Sequence, residues 1–393
     1  MKTIARGMWV AVVGLLVLGS PAWGDPGVTD TEILIGSCSA LTGPASFLGT
    51  QTVLGAQTYL SYVNGHGGVH GRTINLAAYD DGYDPAKAVE CFDRLMKAQV
   101  FAGAFLVGTP TAAKHVPLAE EAKLPIVGLF TGAQLLHDPF RHYVISVRAS
   151  YFDETREQVD NVWNVLGMRK IGVLYQDDAF GKAVLEGVRR ALATHNSTPV
   201  ALGTFARGTL DVVPGITAVR AASPEAVVLV GPYAPVAEIV KRGHAAGWRP
   251  LFLTVSFVGT EAFIKAAELA GDGMVITQVV PPPNRTDLPS VALYQQALKR
   301  YAPEAEPNFV SLEGFVDAMV LVEGLKRAGR DLTRDKLLAG IESIKDFDLG
   351  LGPQLRLSYG PHNHKGFDTV YYSVVRGGQA VAFTNWKDLK TSP

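Results

Sequence analysis

The chain has 393 residues, 47% of them hydrophobic, with 36 basic against 37 acidic side chains and a formal net charge of −1. A balance this even, without a basic tract, excludes nucleic acid and anionic membrane surfaces as partners. The length fits two domains, each large enough for its own core.

Residues 1–24 begin with Lys2 and Arg6, continue through an apolar run at 10–18 and end on Ala22-Trp23-Gly24. A basic start, a short apolar stretch and small residues around Trp23 predict a cleaved signal peptide. The run is shorter than the roughly 20 residues that a spanning helix needs. No Cys lies just after the cleavage site, so a lipid anchor is not indicated. The mature chain is expected to start at Asp25 and to be periplasmic.

Strand and helix then alternate. Strands are predicted at 33–36, 73–79, 101–107 and 125–129, with 143–148 continuing extended; helices are predicted at 51–64, 85–98 and 112–122. Asp84 followed by Pro85 marks a capped helix start with proline in its first turn. The apolar run 101–107 reads as a buried parallel strand. A second series places helices at 154–166, 180–195, 212–222, 235–246 and 261–267 among strands at 170–175, 200–204, 226–230, 251–254 and 274–279. After the turn-rich PPPNRTDLP come helices at 290–301, 312–327 and 333–344 and strand-like segments at 354–357, 369–376 and 380–384. This alternation implies parallel sheets covered by helices, twice over: an α/β chain of two doubly wound lobes.

The two cysteines are Cys38 and Cys91. In an oxidising compartment such a pair is either joined or buried as two small hydrophobes, and the sequence leaves both open.

In order along the chain stand LTGPASFLG, NGHGGVHGR, YDDGYDP, VGTPTAAKHVPLAEEAKLPIVG, YQDDAFGKAVLEGV, VVLVGPYAPVAEIVKRGHAAGW, AGDGMVITQ and GFDTVYYSVVRGGQ. Each is weak alone. Together, behind a signal peptide, they resemble the type I periplasmic binding proteins, in particular the ABC-transporter substrate-binding branch for Leu, Ile and Val. The resemblance covers nearly all of the mature chain. It implies two lobes joined by three crossovers, near Arg148, Gln278 and Gly360, with residues 25–148 and 279–360 in lobe 1 and 149–278 and 361–393 in lobe 2. It also implies a small-molecule ligand in the cleft, hinge closure on binding, a monomer, and delivery to an inner-membrane ABC permease, with no cofactor or metal. Reporting the liganded state to a membrane kinase or chemoreceptor is the alternative role.

The family's ligand positions fall, by local alignment, on these residues. The hydroxyl that holds a ligand carboxylate falls on Thr109 or Thr111, at the entry to a helix whose free N–H groups favour an anion. Thr131 in LFTGA is the next such position. Phe180, in DDAFG, is the lobe 2 aromatic; another lobe 2 position falls on Pro232 or Tyr233 in GPYAP, of which Tyr233 keeps a polar tip. Tyr151, in RASYFDET at the hinge, is a further cleft candidate unless that segment is only a helix start capped by Asp153.

Two departures bear on the ligand. Ser256 stands where the amino acid binders carry an acid for the ligand ammonium, and Leu48 stands where they carry a lobe 1 aromatic. A buried ammonium needs a charged or multiply hydrogen-bonded partner. The expected ligand is a carboxylate or amide without an ammonium, aromatic or otherwise apolar in its body, unless Asp153, Glu154 or Asp177 takes over. An enzyme is not expected. The chain has no G-x-S-x-G elbow and no HExxH site, GHGGVHG follows a helix instead of a strand, and His362 and His364 read as a solvated turn without a third metal ligand.

Overall fold

The protein is described by a computed structural model covering residues 25–391; the expected signal peptide lies outside the described residues. The first sheet comprises β1 (Glu32–Ser39), β2 (Thr73–Asp80), β3 (Ala102–Ala104), β4 (Ile126–Val127) and β5 (Val144–Ile145). All pairings are parallel, in the order β2-β1-β3-β4-β5. Parallel neighbours need crossovers, here α1 (Ser46–Gly65), α2 (Pro85–Lys97) and α3 (Thr109–Ala122). The second series starts with α4 (Tyr151–Asn161) and runs through β6 (Ile171–Gln176), α5 (Ala179–Ala193), β7 (Leu202–Phe205), α6 (Val213–Ala221), β8 (Ala226–Val230), α7 (Tyr233–Ala245), β9 (Leu251–Thr254), α8 (Thr260–Ala267) and β10 (Val275–Gln278). The chain then adds α9 (Pro289–Tyr301), α10 (Phe309–Ala328), α11 (Arg334–Glu342) and a short pair, β11 (Phe347–Asp348) with β12 (Arg356–Leu357), to the first lobe's core. It ends in β13 (Tyr371–Arg376) and β14 (Gln379–Phe383), which join the second sheet antiparallel and give the order β14-β13-β10-β9-β8-β6-β7.

Local differences from the sequence reading have physical causes. The strand expected over 101–107 stops at Ala104 because Phe105 sits at φ 61°, in the left-handed region that a strand does not use. The helix expected from 154 begins at Tyr151, and its cap is Ser150, not Asp153. The Ser150 hydroxyl accepts from Asp153 N while the Asp153 carboxylate accepts from Ser150 N at 2.9 Å, a reciprocal capping box. His364 is not in a solvated turn: it is buried, with Nδ1 3.0 Å from the Arg141 carbonyl and Nε2 3.1 Å from Glu342 Oε1, while His362 is exposed. Among the described residues no three His, Cys, Asp or Glu side chains group as a metal site, and no helix is long and apolar enough to cross a membrane.

Four apolar cores hold the described residues. One face of the first sheet packs on α1, α9, α10 and α11 through Ile35, Leu60, Phe315 and Leu321. The other face packs on α2 and α3 and contains Cys38 and Cys91, which form a disulfide with Cα atoms 6.0 Å apart. A third core lies under α6, α7 and α8. The fourth is continuous across both lobes: Ala40, Leu48, Tyr83 and Phe130 of the first meet Tyr151, Phe180 and Phe257 of the second. The lobes are thus closed on one another.

The first and third crossovers are stitched together. Ser146 N donates to the His364 carbonyl (2.9 Å), Gly366 N to the Ser146 carbonyl (2.9 Å) and Phe367 N to the Val147 carbonyl (2.8 Å).

Candidate functional site in the interlobe cleft

The polar floor of the cleft is a run of hydroxyls at the start of α3. Thr109 follows Gly108, whose φ of 105° suits glycine, and a Cβ there would lie 2.5 Å from the Tyr83 ring. Thr109 Oγ1 lies 2.7 Å from Thr131 Oγ1, which donates to the Tyr151 hydroxyl at 3.3 Å. All three residues are fully buried. Hydroxyls converging at a helix N-terminus suit a carboxylate or carbonyl oxygen. Thr111 is placed differently: its hydroxyl donates back to the Val107 and Gly108 carbonyls at 2.6 and 3.0 Å, inside the helix's own first turn.

The centre of the cleft is aromatic. Phe257, from the turn after β9, lies 4.6 Å from Phe180, 5.6 Å from Phe130 and 6.0 Å from Tyr83 between ring centroids, and Phe180 lies 5.4 Å from Tyr151. Leu48 is fully buried at the rim, where a Cβ on Gly259 of the facing lobe would come within 2.6 Å of its Cδ2. Tyr233 is half-buried and meets Phe47 edge-on across the cleft at 6.1 Å. Phe257 was missed in the sequence because LTVSFVG reads as one apolar run, with no mark separating its last aromatic from the core.

Behind the aromatics is a buried charge cluster. Arg148 Nη2 donates to Glu154 Oε1 (2.8 Å) and to the Ser256 hydroxyl, Nη1 to Glu313 Oε1 (3.0 Å), and Nε to the Ala149 carbonyl (3.3 Å). Glu154 Oε1 also accepts from the Ser256 hydroxyl (3.0 Å), and Oε2 accepts from Ser256 N (2.8 Å) and the Thr277 hydroxyl (2.6 Å). Both carboxylate oxygens are therefore fully occupied. Burial pushes Glu313 up to about 7, and burial together with the neighbouring Glu313 pushes Asp317 well above the usual carboxylate range. Asp153 is held by Ser150 and Lys365. Asp177 is exposed and pairs with Lys182 at 3.0 Å. Of the three acids the sequence offered for an ammonium, only Glu154 reaches the cleft, and its oxygens are taken. Ser256 serves Glu154 and Arg148.

A hinge crossed three times, two α/β lobes closing on it and a cleft with a hydroxyl floor define a two-lobed solute-binding protein. The family model described as "Periplasmic binding protein" matches residues 32–379, and the chain belongs to that family. It is 23% identical over 341 residues to the Leu/Ile/Val-binding protein homolog 3 of Brucella melitensis biotype 1, covering 86% of this chain and 90% of that protein. The crystal structure of a possible leucine/isoleucine/valine-binding protein from Rhodopirellula baltica SH 1 superimposes with a TM-score of 0.87 at 32% identity, covering 94% of this chain and 99% of that one. The same fold, at 23% identity and a TM-score of 0.82, is that of a fatty acid ABC transporter substrate-binding protein from Thermomonospora curvata, over 92% of this chain and 94% of that one. The chain is a substrate-binding protein, not an enzyme.

Proposed function

We propose that the chain is exported to the periplasm, closes on a small organic ligand and hands it to an inner-membrane ABC-type importer. The ligand carries a carboxylate or amide and an apolar body, and it lacks an α-ammonium. The hydroxyls of Thr109, Thr131 and Tyr151 receive its polar end, and Phe180, Phe257, Leu48 and Tyr233 enclose the rest.

The observation that carries the ligand class is the commitment of Glu154 to Arg148, Ser256 and Thr277. An ammonium entering this cleft would find both oxygens of Glu154 already taken and would be desolvated without that carboxylate as its partner. That omission costs several kcal/mol, and each 1.4 kcal/mol is tenfold in affinity. Calorimetry against amino acids, aromatic acids, aliphatic acids and their amides tests the reading. Leucine, isoleucine and valine are expected to bind at least about a hundredfold more weakly than the best acid or amide. Sub-micromolar binding of any of the three would sink the proposal.

A further inference from the structure

Two of the sequence landmarks, YDDGYDP and YQDDAFG, meet across the cleft. Tyr83 follows β2 of the first sheet, Gln176 ends β6 of the second, and Asp178 caps α5. Arg207, in the loop after β7, completes the group. Its Nη1 donates to the Tyr83 carbonyl, its Nε lies 3.8 Å from Asp178 Oδ2, and its guanidinium carbon stands 6.0 Å from the centre of the Tyr83 ring. The Tyr83 hydroxyl and the Gln176 side chain bond each other. Gln176 Nε2 in turn donates to Asp178 Oδ2 at 2.6 Å. Tyr83 is thus held by its carbonyl and by its hydroxyl, and both holds lead to Asp178.

The backbone presents Tyr83 for this role. Its φ of 61° is left-handed, which an aromatic residue keeps only where its surroundings over-determine it. Tyr83 N donates to Asp81 Oδ1 at 2.9 Å and fixes the turn. Asp178 works in two directions. Its Oδ2 faces Gln176 and Arg207, and its Oδ1 caps α5 through Phe180 N (2.9 Å) and Gly181 N (3.2 Å). The carboxylate that fastens Tyr83 of the first lobe therefore also sets Phe180, which packs on Phe257 and Tyr151. The Arg207 side chain is 30% exposed, so it lies at the margin of this interface. Its charge is also felt by Asp84, beside Tyr83 in the first lobe.

We propose that Arg207 is a positioning residue for the cleft: by tying Tyr83 to Asp178 it latches the closed lobes and slows ligand release without itself contacting the ligand. The bonds it makes to Tyr83 join one lobe to the other, so they last only while the lobes are closed. A ligand leaves after the lobes open, and whatever stabilises the closed form alone lengthens its stay. Entry begins from the open form, in which the latch is already undone. The latch goes beyond the ligand class proposed above, and only the ligand arm of its test rests on that reading.

The test uses the mature protein, with stopped-flow fluorescence of phenylacetate and phenylacetamide binding. Single-molecule energy transfer between dyes attached one to each lobe follows closure without ligand. Arg207→Ala should release both compounds about tenfold faster, with entry no slower. It should also shorten the closed dwell of the ligand-free protein about tenfold. Arg207→Lys keeps the charge but loses the planar fork that serves two acceptors, so it should recover part of the loss. Tyr83→Phe keeps the carbonyl and ring and loses the bond to Gln176; it should act in the same direction by about threefold, and it is the second variant if Arg207→Ala folds poorly. Release and closed dwell unchanged in Arg207→Ala would overturn the latch. Faster release confined to phenylacetate would overturn it too, because Arg207 would then be a contact for the ligand's charge. If neither compound binds the parent, the ligand class proposed above falls, and the closed dwell by itself upholds or overturns the latch.

Discussion

Replacing Arg148 by methionine isolates the electrostatics of the hinge. The guanidinium stands between Glu154 at 2.8 Å and Glu313 at 3.0 Å, and none of the three side chains is more than 5% exposed. Methionine keeps much of the volume and removes the charge. Breaking a buried pair from one side costs about 3–5 kcal/mol. The cost has a pH dependence with a definite sign. Without Arg148, Glu154 stays buried only by taking a proton, whereas in the unfolded chain it is ionised above about pH 4.3. The folded variant then holds one proton more than its unfolded form, so its stability falls by about 1.4 kcal/mol per pH unit. Arg148 also holds Glu313 and Asp317 down against burial, so its loss raises both further and acts in the same direction. The destabilisation should therefore be larger at pH 8 than at pH 6, by up to about 2.7 kcal/mol for each carboxyl that Arg148 had kept ionised. Urea unfolding of parent and variant at both pH values measures it. Equal destabilisation at the two pH values would refute the reasoning, because it would mean that the carboxylates are hydrated, not stranded.

Three further outcomes are expected. Converting Cys38 and Cys91 to alanine removes a link spanning 53 residues, worth about 4 kcal/mol in the chain-entropy account; the parent should show no free thiols in denaturant without reductant, and two free thiols would count against the bond. Glu261 of α8 accepts from Phe309 N at the head of α10 (3.0 Å), and burial raises it to about 7. The closed form then holds a proton that an open form releases, so ligand affinity should rise about tenfold from pH 8 to pH 6, and Glu261→Gln should flatten the profile. N-terminal sequencing of the exported protein should read from Asp25; a chain retaining Met1 in the membrane fraction would contradict the signal peptide.

The alternation of the chain was legible because its signals are local. Apolar runs such as 226–230 and caps such as Asp84 declare themselves within a few residues, and Asp84 does accept from Ala86 N and Lys87 N. The bounds were less legible where tertiary geometry overrules pattern, as at Phe105, whose φ ends a strand inside an unbroken apolar run. The hydroxyls of Thr109 and Thr131 were found through family resemblance, since a threonine at a helix start looks the same whether it caps or binds. Arg148 was seen only as a hinge landmark. Its partners Glu313 and Ser256 lie 165 and 108 residues away, and no spacing rule links them.

The return of the last two strands to the second sheet has a mechanical consequence. The Asp25 carboxylate accepts from Arg334 N at 2.6 Å, which fastens that residue to the first lobe, whereas β14 forms the outer edge of the sheet in the second. Residues 25 and 383 therefore ride on different bodies, although the backbone between them threads the pivot three times. Rotation about the pivot becomes a change of length between two accessible points. A pair of dyes there would act as a strain gauge, and a membrane partner touching both would feel the angle of the jaws without sampling what lies between them.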